Sequence, residues 1–110
     1  MIKNTFILLL AVVLASCSQN LAKNKIDISK DSVVFDVRSA EEFQGGNLQD
    51  SINIPHTEIS KKISEHVKNK DAKIVLYCAS GNRAGIAQKT LTGMGYTDVT
   101  NAGGYNDLKK

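Results

Sequence analysis

From residue 32 onward, apolar residues come in short runs that alternate with stretches of helical spacing. Residues 32–37 (SVVFDV) form an apolar, β-branched run of the kind that makes a strand buried on both faces. Ser39-Ala40-Glu41-Glu42 follows, with serine at an N-cap and glutamate three residues on. This is a capping box, and it predicts a short helix that stops at Gly45-Gly46. Residues 52–54 predict a brief strand closed by Pro55. Across residues 57–68, Ile59, Ile63 and Val67 recur every four residues while Lys61, Lys62 and Glu65 face away, which predicts an amphipathic helix with Lys68 and Lys70 near its negative end. Residues 73–77 (KIVLY) make a second buried strand that runs straight into Cys78. From residue 83 to 94, Ala84, Ala87, Leu91 and Met94 share one helical face, and Gly95 suits a left-handed C-terminal cap. Residues 98–101 give a last short strand ahead of Gly103-Gly104. Strands alternating with helices predict a small α/β domain, a parallel sheet with helices on both faces. Such sheets bind ligands at the carboxyl ends of their strands. Here those ends are residues 36–38, 53–55, Cys78 and 101–104.

The chain begins differently. Lys3 precedes residues 6–15 (FILLLAVVLA), an apolar run without a polar face and far shorter than the roughly 20 residues of a membrane span. It reads as the apolar region of an export signal. Leu14-Ala15-Ser16-Cys17 follows directly and resembles the lipobox of bacterial lipoproteins. That resemblance implies a diacylglyceryl group on the Cys17 thiol, cleavage just before it, and, with Ser18 in place of aspartate, sorting to the outer membrane. The expected organisation is a signal peptide over 1–16, a polar lipid-anchored tether over 17–25, and one domain over 26–110. The protein would be exported and held on the periplasmic side of a bacterial membrane.

At 42% hydrophobic residues, with one proline and no tryptophan, the composition is that of a single small globular domain, and the length excludes a two-domain enzyme. With Lys3 removed, 13 basic residues face 11 acidic ones, a net charge of +2 that is too balanced, with lysines too scattered, for a nucleic-acid binder. If Cys17 carries lipid, Cys78 is the one thiol left, in a compartment that oxidises thiols and without an internal disulfide partner. Its retention there calls for a chemical reason.

The segment Cys78-Ala79-Ser80-Gly81-Asn82-Arg83 joins a strand to the start of a helix. Small residues and a glycine let successive backbone N–H groups turn inward as an anion-binding nest. The helix N-terminus adds partial positive charge and Arg83 a full one. A thiolate in such a setting is stabilised over the thiol, so the site is expected to hold a reactive sulfur and accept a small anion. Arginine usage agrees: lysine outnumbers arginine twelve to two, and both Arg38 and Arg83 fall in these segments. Arginine is preferred where an oxyanion or carboxylate must be held by a planar fork.

At this point the chain resembles the single-domain rhodaneses. Val34-Phe35-Asp36-Val37-Arg38 with Glu41-Glu42-Phe43 is similar to the family's opening element. Gly46-Asn47-Leu48 through Ser51-Ile52-Asn53-Ile54-Pro55 is similar to its turn, and Val75-Leu76-Tyr77-Cys78 with the loop to Arg83 to its active-site element. Gly95-Tyr96 and Val99 through Asn101-Ala102-Gly103-Gly104-Tyr105 are similar to its closing element. The resemblance implies a thiosulfate-type sulfurtransferase. Cys78 would take a sulfane sulfur as a persulfide and pass it to a thiol or cyanide, in ping-pong fashion. Ala79, Ser80, Gly81, Asn82 and Arg83 would hold the donor anion, Asp36 and Arg38 would brace the loop, and neither metal nor organic cofactor is implied. Departures from the family pattern fall in the turn, where Asn47, Asp50 and Ser51 replace its usual His, Gly and Ala. The short C-terminal end predicts a shallow, open site that a protein thiol would reach as readily as a small molecule.

Two rivals share parts of this pattern. Phosphatases and arsenate reductases of the same fold have a loop one residue longer than the four residues between Cys78 and Arg83, and phosphatases commonly carry His where Tyr77 stands. The shorter loop suits sulfur, the longer one a tetrahedral phosphate. The other rival is a lipid-tethered persulfide carrier or binding module, which a retained cysteine does not separate from a catalyst. His56 and His66 have no cysteine or spaced carboxylate partners, so no metal site is read.

Overall fold

Why four short strands suffice follows from their pairing. A computed structural model describes residue 28 and residues 31–110; the expected signal peptide, the expected lipidation at Cys17, the tether and residues 26, 27, 29 and 30 of the expected domain lie outside them. The strands are β1 (Val33–Asp36), β2 (Ile52–Asn53), β3 (Ile74–Cys78) and β4 (Val99–Gly104), all parallel, in the order β2-β1-β3-β4. The helices are α1 (Ala40–Gln44), α2 (Ile59–His66), α3 (Asn82–Gly93) and α4 (Tyr105–Leu108), and a 3₁₀ turn spans His56–Glu58.

Every residue of β3 is buried, and its alternation divides the interior. Ile74, Leu76 and Cys78 face the larger cluster, with Phe35, Val37, Ile59, Ile63, Ala84, Ala87, Leu91 and Tyr96. Val75 and Tyr77 face a smaller one, with Ala102 and the flanking Leu48, Tyr105 and Leu108. The sheet therefore has a thick face under α2 and α3 and a thin one under α4 and the turn before β2. Continuous apolar runs are what a strand covered on both faces demands.

The capping box forms as the sequence predicts: Ser39 accepts from the Glu42 N–H, Glu42 accepts from the Ser39 N–H, and Gly45 caps the other end of α1. The helix expected over 57–68 is shorter, because residue 58 at its N-cap offers no side-chain cap and a 3₁₀ turn precedes it. Lys70 serves a different helix from the expected one. Its Nζ donates to the Met94 carbonyl at 3.0 Å, at the C-terminal end of α3, where a cation meets the negative end of the helix dipole. That end closes as the glycine signal predicts. The Tyr96 and Gly95 N–H groups donate to the Leu91 and Thr92 carbonyls, with Gly95 at φ 99°. Buried Tyr96 and Leu91 supply the apolar contact that accompanies this closure.

Two features reach beyond the sequence pattern. The last strand continues past Asn101 to Gly104, with one extra residue on β4: Leu76 pairs with Asn101 but Cys78 pairs with Gly104. This is a β-bulge, and it brings Gly104 beside Cys78. The second feature is Asp50, at φ 65° in the turn before β2. The left-handed region explains why a glycine is usual there, and a short polar side chain is among the few others that tolerate it.

Ser51 accounts for a buried hydroxyl on the thin face. Ser51 Oγ donates to the Leu48 carbonyl at 2.7 Å and lies 2.9 Å from Tyr77 Oη, which itself accepts from the Leu48 N–H at 3.0 Å. With the serine proton committed to Leu48, Tyr77 must donate to Ser51. Burial raises the Tyr77 pKa above the usual phenol range, which keeps that proton in place.

Candidate active site

Cys78 ends β3 on the carboxyl edge of the sheet, and the chain turns at once through Ala79, Ser80 and Gly81 into α3. Gly81 sits at the N-cap with φ 102°, a conformation that side chains rarely adopt. It has no side chain with which to satisfy the helix's first N–H groups. Cys78 fills that role from outside the helix. Its Sγ accepts from the Gly81 N–H at 2.9 Å and from the Ala84 N–H at 3.4 Å. Ala84 is the third residue of α3, where an ordinary N-cap oxygen accepts its bond. The sulfur is thus the helix cap, placed where the helix dipole favours negative charge.

Cys78 has no exposed surface. In place of the shallow, open site expected from the short C-terminus, the sulfur is covered, packed with the larger cluster at the start of α3. Asn101, which motif reading placed only in the closing element, holds that arrangement together. Its Nδ2 donates to the Gly81 carbonyl at 3.0 Å and its Oδ1 accepts from the Gly103 N–H at 3.0 Å. One side chain in the bulge therefore fixes both walls. Its amide pattern has no local signal, because Gly81 and Asn101 are brought together only by strand register.

Arg83 lies on the first turn of α3 and is half-buried. One N–H on each terminal nitrogen is engaged: Nη1 and Nη2 donate to Glu42 Oε1 and Oε2 at 2.7 and 2.9 Å. The Arg83 hydrogen bonds hold the Glu42 carboxyl down to about 2, helped by the Ser39 bonds, and Glu42 in turn raises the Arg83 pKa. Sequence reading gave Glu42 a capping role alone. Its second role spans 41 residues of chain.

Asp36 and Arg38 form a buried pair, with Arg38 Nη2 donating to Asp36 Oδ2 at 2.6 Å and Nε to both carboxylate oxygens at 3.0 Å. Arg38 also donates to the Gly46 carbonyl at 2.7 Å and stacks over the Tyr105 ring at 4.4 Å. These contacts tie β1 to the turn at Gly46 and to α4, and Arg38 also lies 5.7 Å from the centroid of the Tyr77 ring, beside the end of β3; its hydrogen bonds do not reach the Cys78 loop that it was expected to brace. Asn53 Nδ2 completes the brace by donating to the Asp36 and Arg38 carbonyls at 2.9 and 3.0 Å. Ala79 and Ser80 are exposed at the rim, as is Asn82.

A cysteine that caps a helix on the carboxyl edge of a four-stranded parallel sheet, among helices, defines a small α/β domain of the rhodanese fold. The chain belongs to the rhodanese family: the family model for the rhodanese-like domain matches residues 16–110. Thiosulfate sulfurtransferase PspE of Escherichia coli (strain K12) is 41% identical over 74 residues, covering 67% of this chain and 71% of its own length. A human thiosulfate:glutathione sulfurtransferase is 31% identical over 87 residues, covering 67% of this chain and 76% of its own. The solved structure of a rhodanese with anions from E. coli matches with a TM-score of 0.67 at 39% identity, over 69% of this chain and 89% of that one.

Proposed function

We propose that the protein is a thiosulfate-type sulfurtransferase in which Cys78 carries the sulfur. The observation that carries this reading is the Cys78 sulfur seated as the cap of α3, accepting the Gly81 and Ala84 N–H groups. The Cys78 thiolate attacks the outer sulfur of thiosulfate; the new S–S bond forms as the old one breaks, and sulfite leaves with the bonding pair. The product is a Cys78 persulfide anion. Cyanide or a thiolate then attacks its terminal sulfur, leaves as thiocyanate or a new persulfide, and returns Cys78 to the thiolate. No net oxidant is consumed. The N–H groups of Ala79, Ser80, Gly81, Asn82 and Arg83 line the path of the donor, and the dipole of α3 offsets the negative charge of the persulfide.

Intact mass tests the cycle. The full chain is expected to gain one sulfur atom with thiosulfate, localised to the peptide holding Cys78, and to lose it to cyanide with release of thiocyanate. No adduct on folded, reduced protein would set the small-molecule reaction aside and put a persulfide carrier or binding module, fed by a protein thiol, in its place.

The same reading places the domain on a membrane through lipid at Cys17, supported by the lipobox-like Leu14-Ala15-Ser16-Cys17. Cys17→Ala is expected to move the protein from the membrane to the soluble fraction of a bacterial host. Unchanged fractionation would remove the lipid anchor from the picture.

A further inference from the structure

Arg83 is the cation nearest the start of α3 in sequence, yet the end-on fork of its guanidinium is already taken by a carboxylate. Both terminal nitrogens bond Glu42 in a fork-to-fork pair. Glu42 is not a loose surface acid that happens to lie nearby. Its Oε1 also accepts from the Ser39 N–H and Oγ at 3.2 and 3.0 Å, so the capping box of α1 aims the carboxylate at α3. The pair is half-exposed, with about a third of each side chain open to solvent, so an incoming ion can reach it.

We propose that Glu42 is a specificity-determining gate on the anion site, an occupant that a doubly charged donor must displace from Arg83 or bind beside against its charge. This rests on the sulfurtransferase reading and names what that site selects. A carboxylate and a sulfonate cannot share one fork of donors without like-charge repulsion. The gate therefore handicaps small dianions such as thiosulfate. It handicaps less a donor that carries a single negative charge and no sulfonate, such as the persulfide of another thiol. Because the carboxyl stays ionised down to about pH 2, the gate is charged throughout the neutral range and does not open by protonation.

Glu42→Gln tests it and spares the fold, since glutamine at this position still completes a capping box. Sulfate, an unreactive dianion, is titrated against the full chain and followed at the Gly81 and Ala84 amide resonances. The variant is expected to bind sulfate ~5-fold or more tightly than the parent, as removing one nearby charge from a dianion's site implies, and its KM for thiosulfate falls by a similar factor with kcat within about twofold. In the Arg83→Gln background the Glu42→Gln change is expected to give a smaller gain, the part due to charge alone; a gain as large as in the parent would show that Glu42 does not compete for the fork and would overturn the gate. Equal or weaker sulfate binding by Glu42→Gln, or no amide response in either protein, would overturn the gate. A parent protein that forms no persulfide from thiosulfate would count against the sulfurtransferase reading instead, and the sulfate titration would still decide the gate.

Discussion

Cys78→Ser is expected to lower thiosulfate-to-cyanide sulfur transfer by at least about 10³-fold, because a neutral hydroxyl neither attacks sulfur nor forms a stable per-sulfur intermediate. The same change is expected to leave the domain folded. The side chain at 78 caps α3 through the Gly81 and Ala84 N–H groups, and a serine oxygen is among the preferred acceptors for such groups. The loss of one buried sulfur from a close-packed strand is small beside the preserved cap. Thiocyanate release and a thermal melt, run on the same preparations, separate the two effects. Residual transfer near the parent rate would eliminate Cys78 as the nucleophile, and a melt shifted by more than about 8 °C, the equivalent of roughly 1–2 kcal/mol in a domain of this size, would show that the sulfur's packing matters more than its cap.

Gly104→Ala tests the other wall of the site. Gly104 pairs with Cys78 across the bulge, and a Cβ added there would collide with the Ala79 backbone oxygen and meet the Ala79 carbonyl carbon at 3.2 Å and Ser80 Cα at 3.4 Å. These are backbone atoms and cannot swing aside as a side-chain tip can. Either the loop over Cys78 or the end of β4 must move. Overpacking of this kind costs about 1–3 kcal/mol, and a shift of the loop by even about 1 Å is enough to lower turnover ~100-fold. A drop of at least about 5 °C in Tm together with that loss in kcat/KM is expected. Gly93→Ala makes the matched comparison, since nothing lies within 4 Å of a Cβ there and alanine in a helix is at least as favourable as glycine. If Gly104→Ala melts and turns over like Gly93→Ala, the close approach of β4 to the loop does not hold the site.

Much of this architecture was legible in the order of residues, and the parts that were not share a cause. The strands, the Ser39–Glu42 box, the buried stripe of Ile59, Ile63 and Val67 and the glycine closure at Gly95 are local patterns, and each forms within a few residues of its signal. So does the strand–loop–helix corner that carries Cys78. The Glu42–Arg83 pair, the Asn101 bridge to Gly81 and the Lys70 bond to Met94 join residues 20 or more positions apart. They exist because the sheet register sets their backbones side by side, and a polar side chain carries no mark of which distant partner it will meet. The burial of Cys78 belongs with these. The short C-terminal end predicted an open site, whereas the Cys78 side chain packs into the larger cluster at the start of α3.

The brevity of β2 has a consequence for how copies of this protein meet one another. An edge strand with a long row of unpaired N–H and C=O groups is a template on which a second chain can extend the sheet, and from there a fibre. At this edge the ladder is two residues, Ile52–Asn53, with Pro55 just beyond and unable to donate. The opposite edge, β4, is longer but bent by its bulge and followed at once by α4. Among the described residues neither sheet edge offers a long straight run of backbone to a neighbouring copy, so the same irregularities that shape the sulfur site also discourage intermolecular strand addition there.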